Sequence, residues 1–216
     1  MVRALADQGC NLIVCGRNPQ PLRRIEVSLS RKKVKVLTQV CDVRDEKGIT
    51  ELVGTVRRRF RRLDILVNNA GIAHEPSPVA KLPFEVWAEV VATNLTGTYL
   101  VTKAALPLMK RGSAIVNNLS IASKQVFPGS SAYNASKHGA LGFTNTLREE
   151  LREKGIRVIA LLPGATDTSI WDTLWRDAPR DKMLPPTAIA QALISALKQE
   201  EGTIEEVRIL PTAGTL

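Results

Sequence analysis

Apolar and polar positions alternate along this chain in two rhythms. Short apolar runs at residues 11–15, 34–40, 63–68, 114–117, 156–162 and 207–210 have the length of buried strands. Between them lie longer stretches of helical spacing, at 19–30, 45–62, 86–111, 131–154 and 187–200. The punctuation agrees with this division. Asn18 reads as an N-cap with Pro19 at the first helical position, Asp45 and Glu46 open the next helix, and Gly155 closes the helix at 131–154. The long helix at 86–111 is expected to split near Gly97, and Pro76, Pro78 and Pro83 mark the loop before it. Strands that alternate with helices predict an α/β fold, a doubly wound parallel sheet with helices on both faces. In such folds ligands bind at the carboxyl ends of the strands. The polar motifs collect there: Gly16-Arg17, Asp42-Val43, Asn68 to Gly71, Ser120 and Pro163-Gly164.

Composition narrows the class. The 216 residues, 44% apolar, suffice for a single domain spanning 1–216. No apolar run approaches the ~20 residues a membrane span needs, and without a charged n-region, apolar stretch and cleavage site at its start a secretory signal is not expected. Cys10, Cys15 and Cys41 form no C-x-x-C pair and read as ordinary buried thiols of a reducing cytoplasm. The net charge of +9 owes much to Arg31-Lys32-Lys33 and to Arg57-Arg58-Arg59 with Arg61-Arg62. Both clusters fall where helices end, with little aromatic interleaving, so solvated helix termini are expected and nucleic-acid binding is not.

The candidate chemistry lies in Tyr133-Asn134-Ala135-Ser136-Lys137, with Ser120 thirteen residues before the tyrosine. Positions four apart share a helix face, so a phenol and an ammonium emerge side by side. A phenol with pKa near ~10 is a poor acid-base catalyst at neutral pH, and an adjacent positive charge favours the phenolate and lowers that pKa. With a hydroxyl to hold a carbonyl oxygen, the set reads as machinery for interconverting a carbonyl and an alcohol.

Together with Asn68-Asn69-Ala70-Gly71, Asn94 in Thr93-Asn94-Leu95-Thr96-Gly97, and Pro163-Gly164, these residues resemble the short-chain dehydrogenase/reductase family. The likeness runs essentially the whole chain and is nearest to the 3-oxoacyl-thioester reductase type. It implies a Rossmann-type domain using NADP or NAD. It also implies Tyr133 as general acid in reduction and base in oxidation, and Lys137 lowering its pKa and binding the nicotinamide ribose. Ser120 would polarise the carbonyl, and Asn94 would hold a water in the proton relay. Ser120 rather than Ser123 has the family spacing to Tyr133, although Leu119 stands where relatives more often carry a second hydroxyl. Asp42 and Val43 match the adenine-contacting pair, Asn68, Ala70 and Gly71 the loop beside the adenosine ribose, and Pro163, Gly164 and Thr168 the segment along the nicotinamide and pyrophosphate. Relatives that prefer NAD carry an Asp where Gly16 stands. Here Arg17 follows instead, suited to a 2′-phosphate, so NADP is expected over NAD.

The family's opening strand and T-G-x-x-x-G-x-G turn have no counterpart, and Met1 to Gly9 align with the later part of the first helix. An N-terminally truncated domain is therefore expected, with the missing strand between those at 11–15 and 63–68 and with reduced stability and cofactor affinity. Beyond Pro163-Gly164, the apolar residues Ile170, Trp171, Leu174 and Trp175 suggest either a lid over a partly apolar substrate or a helix packed on the core or on a neighbouring subunit. The resemblance also implies a homodimer or homotetramer formed through the helices at 86–111 and 131–154. Two functions stand: a cytoplasmic NADP-dependent carbonyl reductase or alcohol dehydrogenase, and a catalytically weak relative that acts as a binding or scaffold protein.

Overall fold

The computed structural model describes residues 1–214, so Thr215 and Leu216, the last two of the expected 1–216 domain, lie outside the described residues. The strands are β1 (Leu12–Gly16), β2 (Val36–Val40), β3 (Ile65–Asn68), β4 (Ala114–Asn118), β5 (Arg157–Pro163) and β6 (Glu206–Ile209). They alternate with α1 (Val2–Asp7), α2 (Pro19–Leu29), α3 (Glu46–Phe60), α4 (Phe84–Val91), α5 (Gly97–Ala105), α6 (Ser131–Arg152), α7 (Trp171–Leu174) and α8 (Pro186–Leu197). The strand pairings are parallel.

The period of two along each strand sorts side chains onto two faces. Leu12 and Val14 of β1, Val116 of β4, and Ile159 and Leu161 of β5 join Leu5 of α1 and Ile189 and Leu193 of α8 in one core. The alternate positions face the other helical layer: Ile13 and Cys15 pack with Ile49 and Leu52 of α3, Ile115 and Val158 with Leu147 and Leu151 of α6, and Leu162 with Ala140 and Leu141. This is the doubly wound arrangement that the pattern predicts.

The sheet is not continuous. Among the described residues the hydrogen-bonded order is β2-β1 in one part and β3-β4-β5-β6 in the other. The division falls between the strands at 11–15 and 63–68. The strands flanking it are correspondingly less protected: β3 is half-buried throughout and β1 nearly so, whereas β5 is buried from Val158 to Leu162.

Local signals act largely as the sequence implies. Asn18 Oδ1 accepts from Gln20 N at 3.0 Å, and the Asp45 carboxylate accepts from Lys47 N and Gly48 N. Gly9 and Gly155 adopt left-handed φ of +80° and +66°, the conformation a helix C-terminus asks of glycine. Arg57, Arg58 and Arg59 occupy the last turn of α3, where they complement the helix dipole.

The helix expected at 86–111 is α4, a π-helical turn at Ala92–Thr96, α5, and a 3₁₀ turn at Leu106–Leu108. The interruption at Ala92–Thr96 ends immediately before Gly97, as the expected split near Gly97 implies, and a Cβ on Gly97 would lie 2.7 Å from Val43 Cγ2. Glycine is required for close packing, not for a bend. Of the thiols expected to be buried, only Cys41 is, while Cys10 and Cys15 are half-buried. All three are held above the usual thiol range chiefly by burial, Cys41 at about 11, which keeps them protonated and unreactive.

Candidate active site

Because the strands run parallel, their carboxyl ends share one edge. That edge opens into a cavity of about 1070 Å³, at the upper end of the range for small-molecule sites. Arg17 follows β1, Asn69 and Gly71 follow β3, Asn118 ends β4 and Ser120 lies just beyond it, and Pro163 ends β5 with Gly164 and Thr168 after it; all line it. Tyr133 and Lys137 reach it from the first turns of α6. That helix is fixed by Ala132, Ser136, Ala140 and Thr144, each fully buried on its sheet-facing side.

Lys137 is only 5% exposed. Its Nζ donates to Asn118 O at 3.3 Å and stands 5.6 Å from the centroid of the Tyr133 ring. Burial pulls its pKa down to about 8, since a low-dielectric surrounding disfavours the ammonium. Tyr133 shows the opposite consequence of the same cause. It keeps some exposed surface through the cavity, yet desolvation of its phenol raises the pKa, and a hydrogen bond with the Ser120 side chain offsets this only in part. Helical spacing alone implies that the lysine lowers the phenol's pKa. In this structure burial is the largest influence on the phenol, and Tyr133 stays protonated at neutral pH.

Ser120 caps the 3₁₀ turn Ile121–Ser123, and its Oγ accepts from Ala122 N at 3.1 Å. Ser123 is buried away from the cavity lining, with an unpartnered Oγ. Leu119, at the position expected more often to carry a hydroxyl, packs with Ala140, Leu141, Ala160 and Leu162.

Asn94 sits in the π-helical turn and is 2% exposed. Its Oδ1 accepts from Ile72 N at 2.8 Å, and its Nδ2 donates to Ile72 O at 2.9 Å and Ser136 Oγ at 3.0 Å. It therefore fastens the loop after β3 to α6. A Cβ on Gly71 would lie 3.4 Å from Asn94 Oδ1 and 3.5 Å from Lys137 Nζ, so both polar atoms converge on the side-chainless position beside them.

Not every expected binding residue reaches the cavity. Asn68 is drawn into a polar chain instead: its Nδ2 donates to Thr102 Oγ1 and to Asn117 Oδ1, and Asn117 Nδ2 donates to Thr144 Oγ1. Buried amides must be satisfied, and these tie β3, β4, α5 and α6 together. Ala70, Asp42, Val43 and Asn94 also lie outside the cavity lining. Asp42 is engaged by Arg44, with Nη2 to Oδ2 at 2.6 Å, and Val43 packs against Gly97. Residues missed in the sequence include Asn69, Asn118, Phe127, Glu89 and Ile189, all lining the cavity. The strand-end position of Asn118 was the available signal for it; Glu89, on α4 five residues before Asn94, belongs to no motif and offered none. The apolar wall contains Ile170, Trp171, Leu174 and Trp175, and Trp171 Nε1 donates to Thr166 O at 3.0 Å.

A nicotinamide dinucleotide fits this donor set. The Asn118 Oδ1 is buried without a partner beside Lys137 at one part of the cavity, and the Arg17 guanidinium lies at another.

A Rossmann-type sheet with a Tyr–Lys–Ser group at its carboxyl edge defines a nucleotide-dependent oxidoreductase class. The comparisons make it specific: the short chain dehydrogenase family model matches residues 1–179, and the protein belongs to the short-chain dehydrogenase/reductase family. The chain is 39% identical over 169 residues to sulfoacetaldehyde reductase 2 of Chromohalobacter salexigens, covering 77% of this chain and 67% of that protein. Among solved structures, an alcohol dehydrogenase of the archaeon Thermococcus sibiricus complexed with 5-hydroxy-NADP superposes with a TM-score of 0.89 at 28% identity, over 97% of this chain and 89% of the other. A point variant of actinorhodin polyketide ketoreductase with NADPH gives 0.88 at 30% identity, over 100% and 92%. No helix among the described residues is long and apolar enough to cross a membrane.

Proposed function

We propose that the protein is an NADP-dependent reductase of neutral, partly apolar ketones or aldehydes. The observation that carries this reading is the meeting of Tyr133, Lys137 and Ser120 on the wall of one cavity that also holds Arg17 and an apolar tryptophan-bearing wall. When bound, the cofactor supplies a hydride to the carbonyl carbon. The chain's own residues then manage the oxygen. Ser120 donates a hydrogen bond to it, and the protonated Tyr133 phenol gives up its proton to the developing alkoxide. The resulting phenolate is stabilised by the Lys137 ammonium. Asn94 Oδ1 keeps a second lone pair beyond its bond to Ile72 N, and a water at Gly71 would bridge it to Lys137 for reprotonation. Such acid-base assistance is typically worth ~10²–10⁴ in rate.

Among the described residues the charged side chains lining the cavity are Arg17, Glu89 and Lys137. Lys137 is committed to the phenol and Arg17 to the 2′-phosphate, so among the described lining side chains none is left for an anionic substrate such as the one the Chromohalobacter relative's name implies. That favours an uncharged carbonyl against Phe127, Trp171 and Trp175. A homodimer or homotetramer in the cytoplasm completes the proposal, supported by Phe84, Trp87 and Tyr99, which are 75%, 37% and 42% exposed on α4 and α5.

The division of the sheet between β1 and β3 favours the second reading, a weak or inactive relative that only binds. Titrating the purified chain with NADPH and NADH by nicotinamide fluorescence, then offering neutral ketones, separates the two. Saturable NADPH binding, turnover, and a loss of ~10²–10⁴ in kcat for Tyr133→Phe with binding retained support the reductase. A folded chain that binds neither dinucleotide refutes it.

A further inference from the structure

Two arginines converge on one carboxylate at the edge of the cavity. Glu89, near the end of α4, receives Arg44 Nη1 at 3.1 Å and Arg17 Nη1 at 3.5 Å, both on Oε1. Arg44 is also held by Asp42, with its Nε between the two carboxylate oxygens at 3.0 Å each. Arg17 and Glu89 line the cavity, whereas Asp42 and Arg44 stand behind them. Glu89 belongs to none of the motifs that the function absorbed, although it stands only five residues before Asn94.

We infer that Glu89 is a specificity-determining residue that restrains the preference for a 2′-phosphorylated dinucleotide, by occupying and partly neutralising the Arg17 guanidinium that would receive the phosphate. This rests on the reading of Arg17 as the 2′-phosphate ligand.

The balance of charges explains the direction. Arg17 and Arg44 contribute two positive charges, Asp42 and Glu89 two negative ones, so the cluster is neutral as it stands. A 2′-phosphate brings close to two negative charges and meets a carboxylate on the side chain it needs. Arg17 and Glu89 are 50% and 48% exposed, and an ion pair so exposed is weak, so it yields to the phosphate but still opposes it. A ribose 2′-hydroxyl has the opposite relation to Glu89, since it can donate a hydrogen bond to the carboxylate. One oxygen therefore penalises the phosphorylated cofactor and tolerates the other.

Glu89→Gln keeps the shape and removes the charge. A unit charge about 4 Å away in a watery surrounding corresponds to roughly a five- to tenfold change in affinity. The test is equilibrium binding of NADPH and NADH, by nicotinamide fluorescence and calorimetry, to the wild-type chain, E89Q, R17A and E85Q. Glu85 lies on the same helix outside the cluster, so E85Q is the control for general charge. The expected result is NADPH affinity raised about five- to tenfold in E89Q, NADH affinity unchanged or lowered, and no change in E85Q. Equal shifts for both dinucleotides in E89Q, no shift in either, or the same shift in E85Q overturns the inference. R17A separates it from the reading beneath. If R17A weakens NADPH selectively while E89Q is silent, only the role of Glu89 falls. If R17A leaves NADPH binding untouched, or the wild-type chain binds neither dinucleotide, the 2′-phosphate assignment falls and the inference with it.

Discussion

Replacing Lys137 by methionine should stabilise the protein while disabling it. Methionine keeps the length and apolar stem of lysine and removes the ammonium from a site that is 5% exposed and offers it one hydrogen bond, to Asn118 O at 3.3 Å. The fall of the lysine pKa from 10.5 to about 8 measures how strongly the folded state resists the charge. At about 1.4 kcal/mol per tenfold, it corresponds to about 3 kcal/mol. The sign follows from linkage. The folded pKa lies below the unfolded value, so between pH about 8 and about 10.4 the unfolded chain binds the extra proton and stability rises with pH. Below a pH of about 8 the full cost is present. Urea unfolding at pH 7 should therefore show Lys137→Met more stable by up to about 3 kcal/mol, shrinking to under about 1 kcal/mol at pH 10. Groups common to both chains cancel in the difference. Carbonyl reduction by the variant should fall by at least ~10². If the variant is no more stable at pH 7, or its advantage does not change with pH, then the ammonium is better solvated than the geometry implies and the argument fails. The native lysine is in this sense a functional group kept against the preference of the fold.

Other consequences are open to direct measurement. Asn94→Ala leaves Ile72 N–H, Ile72 C=O and Ser136 Oγ without their shared partner, and should cost about 3 kcal/mol in urea unfolding; a loss under about 1 kcal/mol would show that water replaces the amide. Gly97→Ala places a Cβ 2.7 Å from Val43 Cγ2 and 3.1 Å from Val43 O, so the melting temperature should drop by an amount equivalent to about 1–3 kcal/mol, typical of overpacking, and an unchanged melting temperature would contradict the packing role. Arg180 ties α7 to the preceding segment through Thr168 O at 2.7 Å, Asp167 Oδ1 at 3.0 Å and Asp172 Oδ1 at 2.7 Å. Arg180→Gln should raise KM for an apolar ketone several-fold with little change in kcat, and an unaltered KM would place α7 outside substrate recognition.

The amino-acid sequence by itself determined the elements and the chemistry they carry. Strand-length apolar runs, the caps Asn18 and Asp45, and the closing glycines Gly9 and Gly155 are local signals, and local backbone physics enforces them wherever the chain goes. The i, i+4 spacing of Tyr133 and Lys137 is equally local, which is why the pair was visible before any fold. Tertiary structure decided what depends on neighbours distant in sequence. Asn68 turned from the cavity into a buried amide chain with Asn117 and Thr144, because β4 and α6 placed partners where an unsatisfied amide could not remain. Gly97 became a packing glycine only once Val43 lay against it. The phenol's pKa is raised chiefly by desolvation, a property of the packed site that spacing alone does not disclose. Glu89 came to face Arg17 and Arg44 through the packing of α4, a meeting that no periodicity in the chain announces.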